Sequence, residues 1–346
     1  MKARGLAALQ ASAPLETFDF ERRALRPNDV ALDITYSGIC HSDIHQAREE
    51  WGPALFPMVP GHEIVGVVRE IGSKVTKFAI GDPIGVGVFI DSCRTCASCL
   101  KGLEQYCENG LTATYNSYER DGATLAQGGY SNLFVIDADY AVHVPKNLDM
   151  AGVAPLLCAG ITLYSPLKHW GACPGMNVGI VGLGGLGHMG VKFAKALGAT
   201  VTVFSHTPEK RDDALAMGAD RFVVTKDPQN LAALESTFDL VLNTVSAQVD
   251  INLYIKLLKL DATLVAIGLP SKPYEVNVVN LLSARRSMAG SMIGGIPETQ
   301  EMLYFCGKHN ITSDVEVISA DYVNTAYERT VASDVKYRFV IDAKTF

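Results

Sequence analysis

Four cysteines crowd into one short stretch, Cys93, Cys96, Cys99 and Cys107. Spaced Cys-x2-Cys-x2-Cys-x7-Cys, they can turn four thiolates onto one point, the donor set of a closed tetrahedral zinc site with Zn–S distances of about 2.3 Å. Four buried thiols without a metal would set reactive sulfurs side by side with nothing to hold them apart. A zinc-ribbon nucleic-acid module uses similar spacing but brings a basic surface. Here Asp91, Glu104 and Glu108 counter Lys101, so a structural role, fixing the loop 91–108, is the better reading. A second set of donors is dispersed: Cys40 in Gly38-Ile39-Cys40-His41-Ser42-Asp43-Ile44-His45, His62 in Gly61-His62-Glu63, and Cys158 in Leu157-Cys158-Ala159-Gly160. Two thiolates and one imidazole are the set of a catalytic zinc that keeps a fourth position open. Taken singly, Cys40 and Cys158 also suit small buried hydrophobes and His62 a turn histidine, and spacing alone leaves both readings open.

A third motif addresses phosphate. Val178-Gly179-Ile180-Val181 runs into Gly182-Leu183-Gly184-Gly185-Leu186-Gly187, and a helical pattern follows. Gly182 permits the tight turn, Gly184 lets backbone approach a pyrophosphate, and Gly187 lets helix and strand pack closely. Which dinucleotide binds depends on the end of the next strand, where a carboxylate would hold the ribose hydroxyls of NAD. Here Val201-Thr202-Val203-Phe204 ends in Ser205-His206-Thr207, followed by Lys210-Arg211. Hydroxyls and cations with no carboxylate favour the 2′-phosphate of NADP(H); the bland alternative is that Lys210 and Arg211 are the solvated face of the next helix.

These motifs need scaffolds of two kinds. Before about Met150 the chain reads as short strands and turns, with Val30 to Tyr36, Glu63 to Ile71 and Asp82 to Phe89 rich in β-branched residues. After it, apolar strands at Asn177 to Val181, Thr200 to Phe204, Arg221 to Val224, Asp239 to Asn243 and Thr263 to Gly268 alternate with helical patterns at Leu186 to Leu197, Pro208 to Met217 and Val249 to Leu258. That alternation predicts an α/β fold with a doubly wound parallel sheet. The expected division is 1–152, 153–293 and a tail 294–346 that returns to the first domain. A net charge of −7 with no basic run offers nothing to nucleic acid or an anionic membrane, and the longest apolar stretch, Asn177 to Val191, is broken by six glycines and His188. The start, Met1 to Ala13, only faintly imitates a signal peptide. Eight unevenly spaced cysteines point to metal sites in a reducing cytoplasm and not to a disulfide framework, with Cys173 and Cys306 outside both sets.

The runs around Cys40, His62, the four-cysteine loop, Cys158 and Gly182 stand in the order found in the zinc-dependent medium-chain alcohol dehydrogenases. Cys40-His41-Ser42-Asp43-Ile44-His45, Pro60-Gly61-His62-Glu63, Cys158-Ala159-Gly160-Ile161-Thr162 and Gly290-Ser291-Met292-Ile293-Gly294 resemble its cinnamyl alcohol dehydrogenase family in particular, including broad-specificity microbial members. The resemblance implies a GroES-like, mainly β catalytic domain beside a Rossmann domain, two zinc ions per chain and a homodimer. It also implies roles. Cys40, His62 and Cys158 would hold the catalytic zinc with Glu63 as an exchanging ligand, and the ion would act as a Lewis acid on an aldehyde carbonyl or an alcohol. Ser42 and His45 would relay the proton by way of the nicotinamide ribose, and Asp43 would fix the His62 tautomer, unless it serves as a helix N-cap. His41 would stand near the pyrophosphate and Thr162 at the nicotinamide, with Gly182, Gly184, Gly185, Leu186, Gly187, Gly268, Ser291 and Ile293 completing the cofactor contacts.

Trp51, Leu269, Pro270, Met292 and Ile293 fall where the family lines its substrate cleft, though ordinary core is the bland alternative. Ala113 stands where plant members often carry tryptophan, which argues for a broad aldehyde reductase. A polyol dehydrogenase of the same superfamily and a non-catalytic nucleotide-binding relative are the rival readings.

Overall fold

The computed structural model describes residues 1–346 and divides them into two compact units, Met1–Ile161 with Gly294–Phe346, and Thr162–Ile293. Residues 153–161, expected with the nucleotide-binding part, fall in the first unit. The reason is packing: the 3-10 turn Ala154–Leu157 lies against the strands Asp29–Gly38, Ile64–Ile71 and Pro83–Val86. Gly85 and Gly87 make room for it, since a Cβ on either would come to 2.9 Å of Leu157.

The first unit is built on a seven-stranded sheet whose axis is Asp29–Gly38. This strand pairs antiparallel with Ile64–Ile71, Leu133–Asp137 and Arg338–Asp342. Val30, Ala31 and Leu32 are all buried, so both of its faces are covered, which explains an apolar run in place of clean alternation. The run expected over Asp82 to Phe89 is two strands, Pro83–Val86 and Phe89–Asp91, broken at Gly87-Val88. The tail returns through Val315–Ile318 and Arg338–Asp342, which are parallel to each other. Beneath them a core of Ile39, Ile44, Val59, Tyr130, Tyr327 and Phe339 fixes the segments that carry the dispersed donors.

The second unit is a six-stranded parallel sheet in the order Arg221–Val224, Thr200–Ser205, Asn177–Val181, Phe238–Asn243, Leu258–Ala266, Ser287–Gly290. With the unit's first strand, Asn177–Val181, at the centre, this is the doubly wound order, whose crevice opens at the carboxyl ends of the strands. The helix expected to run to Leu258 covers only Ile251–Ile255. Ile255, Leu257 and Leu258 are all fully buried, a run that suits entry into a covered strand and not one stripe of a helix. No single helix is long and apolar enough to cross a membrane.

Candidate active site

The dispersed donors converge. Asp29–Gly38 leads into Cys40, which caps the helix His41–Ala47; Asp43 lies at its third position and not at the cap, accepting from Cys40 N at 2.9 Å. His62 follows Gly61, whose φ of +103° admits the turn only because it lacks a Cβ. Asp43 Oδ1 lies 3.1 Å from His62 Nδ1, which leaves Nε2 for the sulfurs. Cys158 is delivered by the turn Ala154–Leu157. One donor atom each from Cys40, His62, Glu63 and Cys158 lies within 4.8 Å of the others. The two Sγ atoms are 4.0 Å apart, against about 3.8 Å for thiolates sharing a tetrahedral zinc at 2.3 Å.

The electrostatics suit a bound cation. Burial opposes charge on His62, but Asp43 and Cys40 outweigh it and hold its pKa well above the usual range. Cys40 is drawn down by a hydrogen bond from the Cys158 thiol and by His62, while Cys158 is pushed up. A metal ion held between them would let both sulfurs ionise. Burial raises the Glu63 carboxyl to about 7 against the pull of Arg338. Arg338 donates to Glu63 Oε1 and to Ile39 O, while Glu63 Oε2 is buried with no partner. One carboxylate oxygen of Glu63 lies within 4.8 Å of both sulfurs, so the group is a donor within reach of a cation held there.

Ser42 Oγ lies 3.6 Å from Cys40 Sγ. His45 is stacked on Trp51 with ring centroids 4.8 Å apart, and its Nδ1 bonds the exposed carboxylate of Glu50. Trp51 thus buttresses His45 and is half exposed. His41 is exposed, yet the protein packed around its ring pulls its pKa down, so its contact with an anion would be that of a neutral donor.

The four-cysteine loop gathers its sulfurs locally. Its ligand atoms also lie within 4.8 Å of one another, with Cys93 and Cys99 Sγ 3.9 Å apart. Backbone N–H groups of Cys93, Cys96 and Glu108 point at Cys107, Cys93 and Cys96 Sγ at 3.4, 3.3 and 3.5 Å, and the Ser92 hydroxyl lies 3.1 Å from Cys99 Sγ. Hydrogen bonds from Asn109, Thr95 and Cys96 bring the Cys93 thiol down to about 5. All eight cysteines are free thiols.

In the second unit, Gly182 has φ +90°, and a Cβ on Gly187 would strike Gly182 O at 2.0 Å, whereas one on Gly184 would meet open space. Gly184 is therefore free of packing duties and leaves room above the turn. Ser205 is buried, its Oγ accepting from Thr207 N at 3.1 Å, and Lys210 Nζ donates to Leu183 O at 2.8 Å, so Lys210 leans over the glycine-rich turn. Arg211 instead lies over the Phe222 ring, 5.2 Å from its centroid, and His206 is exposed. Gly268 and Ser291 follow the strands Leu258–Ala266 and Ser287–Gly290 at the same edge as Gly182 and Ser205. Thr162 is buried in the helix Ala159–His169. Of the expected substrate residues, Leu269 and Met292 are exposed, Pro270 and Ala113 half-buried and Ile293 buried; for Leu269 and Met292 the core alternative is excluded.

Four participants carry no local signal in the sequence. Glu50 and Arg338 look like ordinary surface charges, and Tyr115 and Tyr130 like core aromatics. Tyr115 stacks on His62 at 5.9 Å.

Comparison with known proteins agrees with this geometry. Residues 26–146 match the alcohol dehydrogenase GroES-like domain and residues 185–308 the zinc-binding dehydrogenase family. The chain is 55% identical to NADP-dependent alcohol dehydrogenase C 1 of Mycolicibacterium smegmatis, over 97% of this chain and 96% of that one. Among solved structures, a cinnamyl alcohol dehydrogenase from Sorghum bicolor superposes with a TM-score of 0.96 at 47% identity, covering 99% of this chain and 98% of that one. The CAD of Helicobacter pylori, complexed with NADP(H), gives 0.93 at 42% identity and 99% of both chains. With both families matched in order and a relative this similar over nearly its whole length, the chain belongs to the zinc-dependent alcohol dehydrogenases, within their cinnamyl alcohol dehydrogenase family.

Proposed function

We propose that this alcohol dehydrogenase exchanges a hydride between NADP(H) and primary aromatic or aliphatic alcohols and aldehydes of broad range, with two zinc ions per chain. The observation that carries the reading is the convergence of Cys40, His62 and Cys158, with Glu63, from three separate segments within 4.8 Å. Held there, zinc supplies a Lewis acid and the dinucleotide a hydride carrier. The chain supplies position and proton traffic. Cys40, His62 and Cys158 bind the ion, and Glu63, tethered by Arg338, is the exchanging donor. Ser42 Oγ is the group that holds the substrate hydroxyl proton, and His45 Nδ1, backed by Glu50, discharges it to solvent. Cys93, Cys96, Cys99 and Cys107 hold the second ion and fix their loop.

The NADP(H) preference rests on Ser205 at the strand end and on Lys210 turned to Leu183 O, with no carboxylate in Ser205-His206-Thr207. The Mycolicibacterium smegmatis relative is named NADP-dependent, and the Helicobacter pylori structure is complexed with NADP(H). Ala113 in place of a large ring favours broad specificity. Two thiol-rich sites require a reducing compartment, the cytoplasm, and a homodimer through the nucleotide-binding unit is the assembly this reading carries. The test is kcat/KM with NADPH and NADH over a panel from benzaldehyde to butanal, with sorbitol as the polyol control, on protein whose zinc content is counted. NADPH is expected to be preferred, and Ser205→Asp to lower the NADPH-to-NADH ratio more than tenfold, since each hydrogen bond to the charged phosphate contributes about 1.5–3 kcal/mol. A wild-type enzyme that prefers NADH, or turns over sorbitol fastest, overturns the reading.

A further inference from the structure

Asp43 is fully buried and accepts four hydrogen bonds. Cys40 N donates at 2.9 Å, Gly61 N at 3.1 Å and His62 Nδ1 at 3.1 Å. The fourth donor is the Tyr130 hydroxyl, 3.0 Å from Oδ2. The first three belong to the turns that carry Cys40 and His62. Tyr130 comes from a segment with no metal donor of its own, yet that segment is pinned to the His62 turn. Gly128 N, Gly129 N and Tyr130 N donate to Val59 O, Gly61 O and Pro60 O at 2.6, 2.8 and 2.9 Å. The ring itself is locked, since even a Cβ on Gly61 would come to 2.5 Å of it.

The direction of the fourth bond is fixed by chemistry. A carboxylate only accepts, so the phenol donates, and burial together with the charge of Asp43 keeps it protonated. Oδ1 receives Gly61 N–H and His62 Nδ1–H, while Oδ2 receives Cys40 N–H and Tyr130 O–H. Each oxygen thus holds two donors, which leaves the carboxylate one orientation. Removing the phenol proton would leave Oδ2 with Cys40 N–H alone. Tyr327 lies edge-on to Tyr130, with ring centroids 6.4 Å apart, and its own buried hydroxyl makes no hydrogen bond to Asp43. The Tyr115 hydroxyl is also drawn to Asp43, whereas the direct bond at 3.0 Å belongs to Tyr130.

We propose that Tyr130 is a positioning residue of the catalytic metal site: its hydroxyl locks Asp43 so that Oδ1 keeps the His62 Nδ1 proton and Nε2 faces Cys40 and Cys158. The proposal rests on the reading of Cys40, His62 and Cys158 as metal ligands. Partners one bond removed from a metal ligand typically change affinity by about 10–100-fold when lost, and Tyr130 stands one bond further out, behind Asp43.

Tyr130→Phe keeps the ring and deletes only the donor. Purified holoenzyme is mixed with a chromophoric zinc chelator, and the two ions are followed as separate release phases, the four-cysteine ion serving as internal reference. Release from the Cys40–His62–Cys158 site is expected to accelerate about tenfold, with the other phase unchanged. The visible absorption bands of the cobalt-exchanged enzyme are expected to shift. Tyr327→Phe, which removes a neighbouring hydroxyl that makes no hydrogen bond to Asp43, is expected to change neither readout. A Tyr130→Phe release rate within twofold of wild type overturns the proposal, as does equal acceleration of both phases, which would report general loosening. Wild-type protein that holds one ion overturns the metal-site reading and the proposal together; two ions with an indifferent Tyr130→Phe overturn the proposal alone. Should Tyr130→Phe not fold, 3-fluorotyrosine at position 130 keeps the shape and strengthens the donor. Slower release from the same site is then expected, and an unchanged rate again overturns the proposal.

Discussion

Cys93, Cys96, Cys99 and Cys107 come from one loop, and their sulfurs are steadied by backbone N–H groups of that same loop. Cys40, His62 and Cys158 come from three segments that meet only because the sheet, the turn Ala154–Leu157 and the Asp43 carboxylate bring them together. The donor chemistry is nearly the same, but the dependence runs in opposite directions. On the two-zinc reading, the metal would organise the chain in the loop, and at the dispersed site the chain would organise the metal. A local cluster with little apolar anchoring needs its ion to stay folded, whereas a buried cluster inside a packed core can spare its ion for chemistry.

That contrast can be broken in three ways. Cys158→Ser should lower turnover by about 10³-fold or more, since loss of a Lewis acid removes several kcal/mol of transition-state stabilisation. Its thermal midpoint and NADPH affinity should stay close to wild type; a collapse in folding would show that the dispersed site also holds the fold. Cys96→Ser should do the reverse, costing more than about 4 kcal/mol of stability in denaturant titrations, the size that loss of a structural metal reaches. The folded fraction should keep its kcat. Stable, zinc-poor Cys96→Ser protein would remove the distinction. The third test asks whether function spreads through the neighbours of the dispersed site. Ser42→Ala and His45→Gln should each slow turnover by about 10²-fold, the lower end of acid–base assistance, with the His45→Gln deficit greatest at lower pH and NADPH binding nearly unchanged. Wild-type rates across the pH range in both variants would confine the chemistry to the metal ligands.

The four-cysteine site was legible because its whole geometry fits in one loop, so spacing alone specifies it. The glycine-rich turn was legible for the same reason: Gly182 and Gly187 meet each other within a single strand–turn–helix. The dispersed donors needed a family likeness, since nothing in the local sequence around Cys158 says that it will meet Cys40. What stayed hidden are partners whose residue type is common and whose role exists only in three dimensions. Arg338 is one more arginine until it reaches Glu63, and Tyr130 one more core aromatic until its hydroxyl finds Asp43. Ser287–Gly290 went unread because a short, half-buried strand with serine and glycine carries no periodic signal. Arg211 shows the converse: a cation beside the nucleotide strand suggested a phosphate contact, but the Phe222 face competes for it.

The pairing of Asp29–Gly38 with Arg338–Asp342 sets a timetable for biosynthesis. Glu63 and its guanidinium partner are separated by 275 positions, so at about 5–20 residues per second a ribosome needs roughly 15–55 s to deliver the second after the first. During that interval the carboxylate that faces the sulfurs has no tether, and the strand Asp29–Gly38 has one edge unpaired where Tyr36, Ser37 and Gly38 await the tail. Assembly of the dispersed site is thereby coupled to synthesis of Arg338–Asp342, while the four-cysteine loop, all of whose thiols are made by Cys107, would be able to take up an ion much earlier.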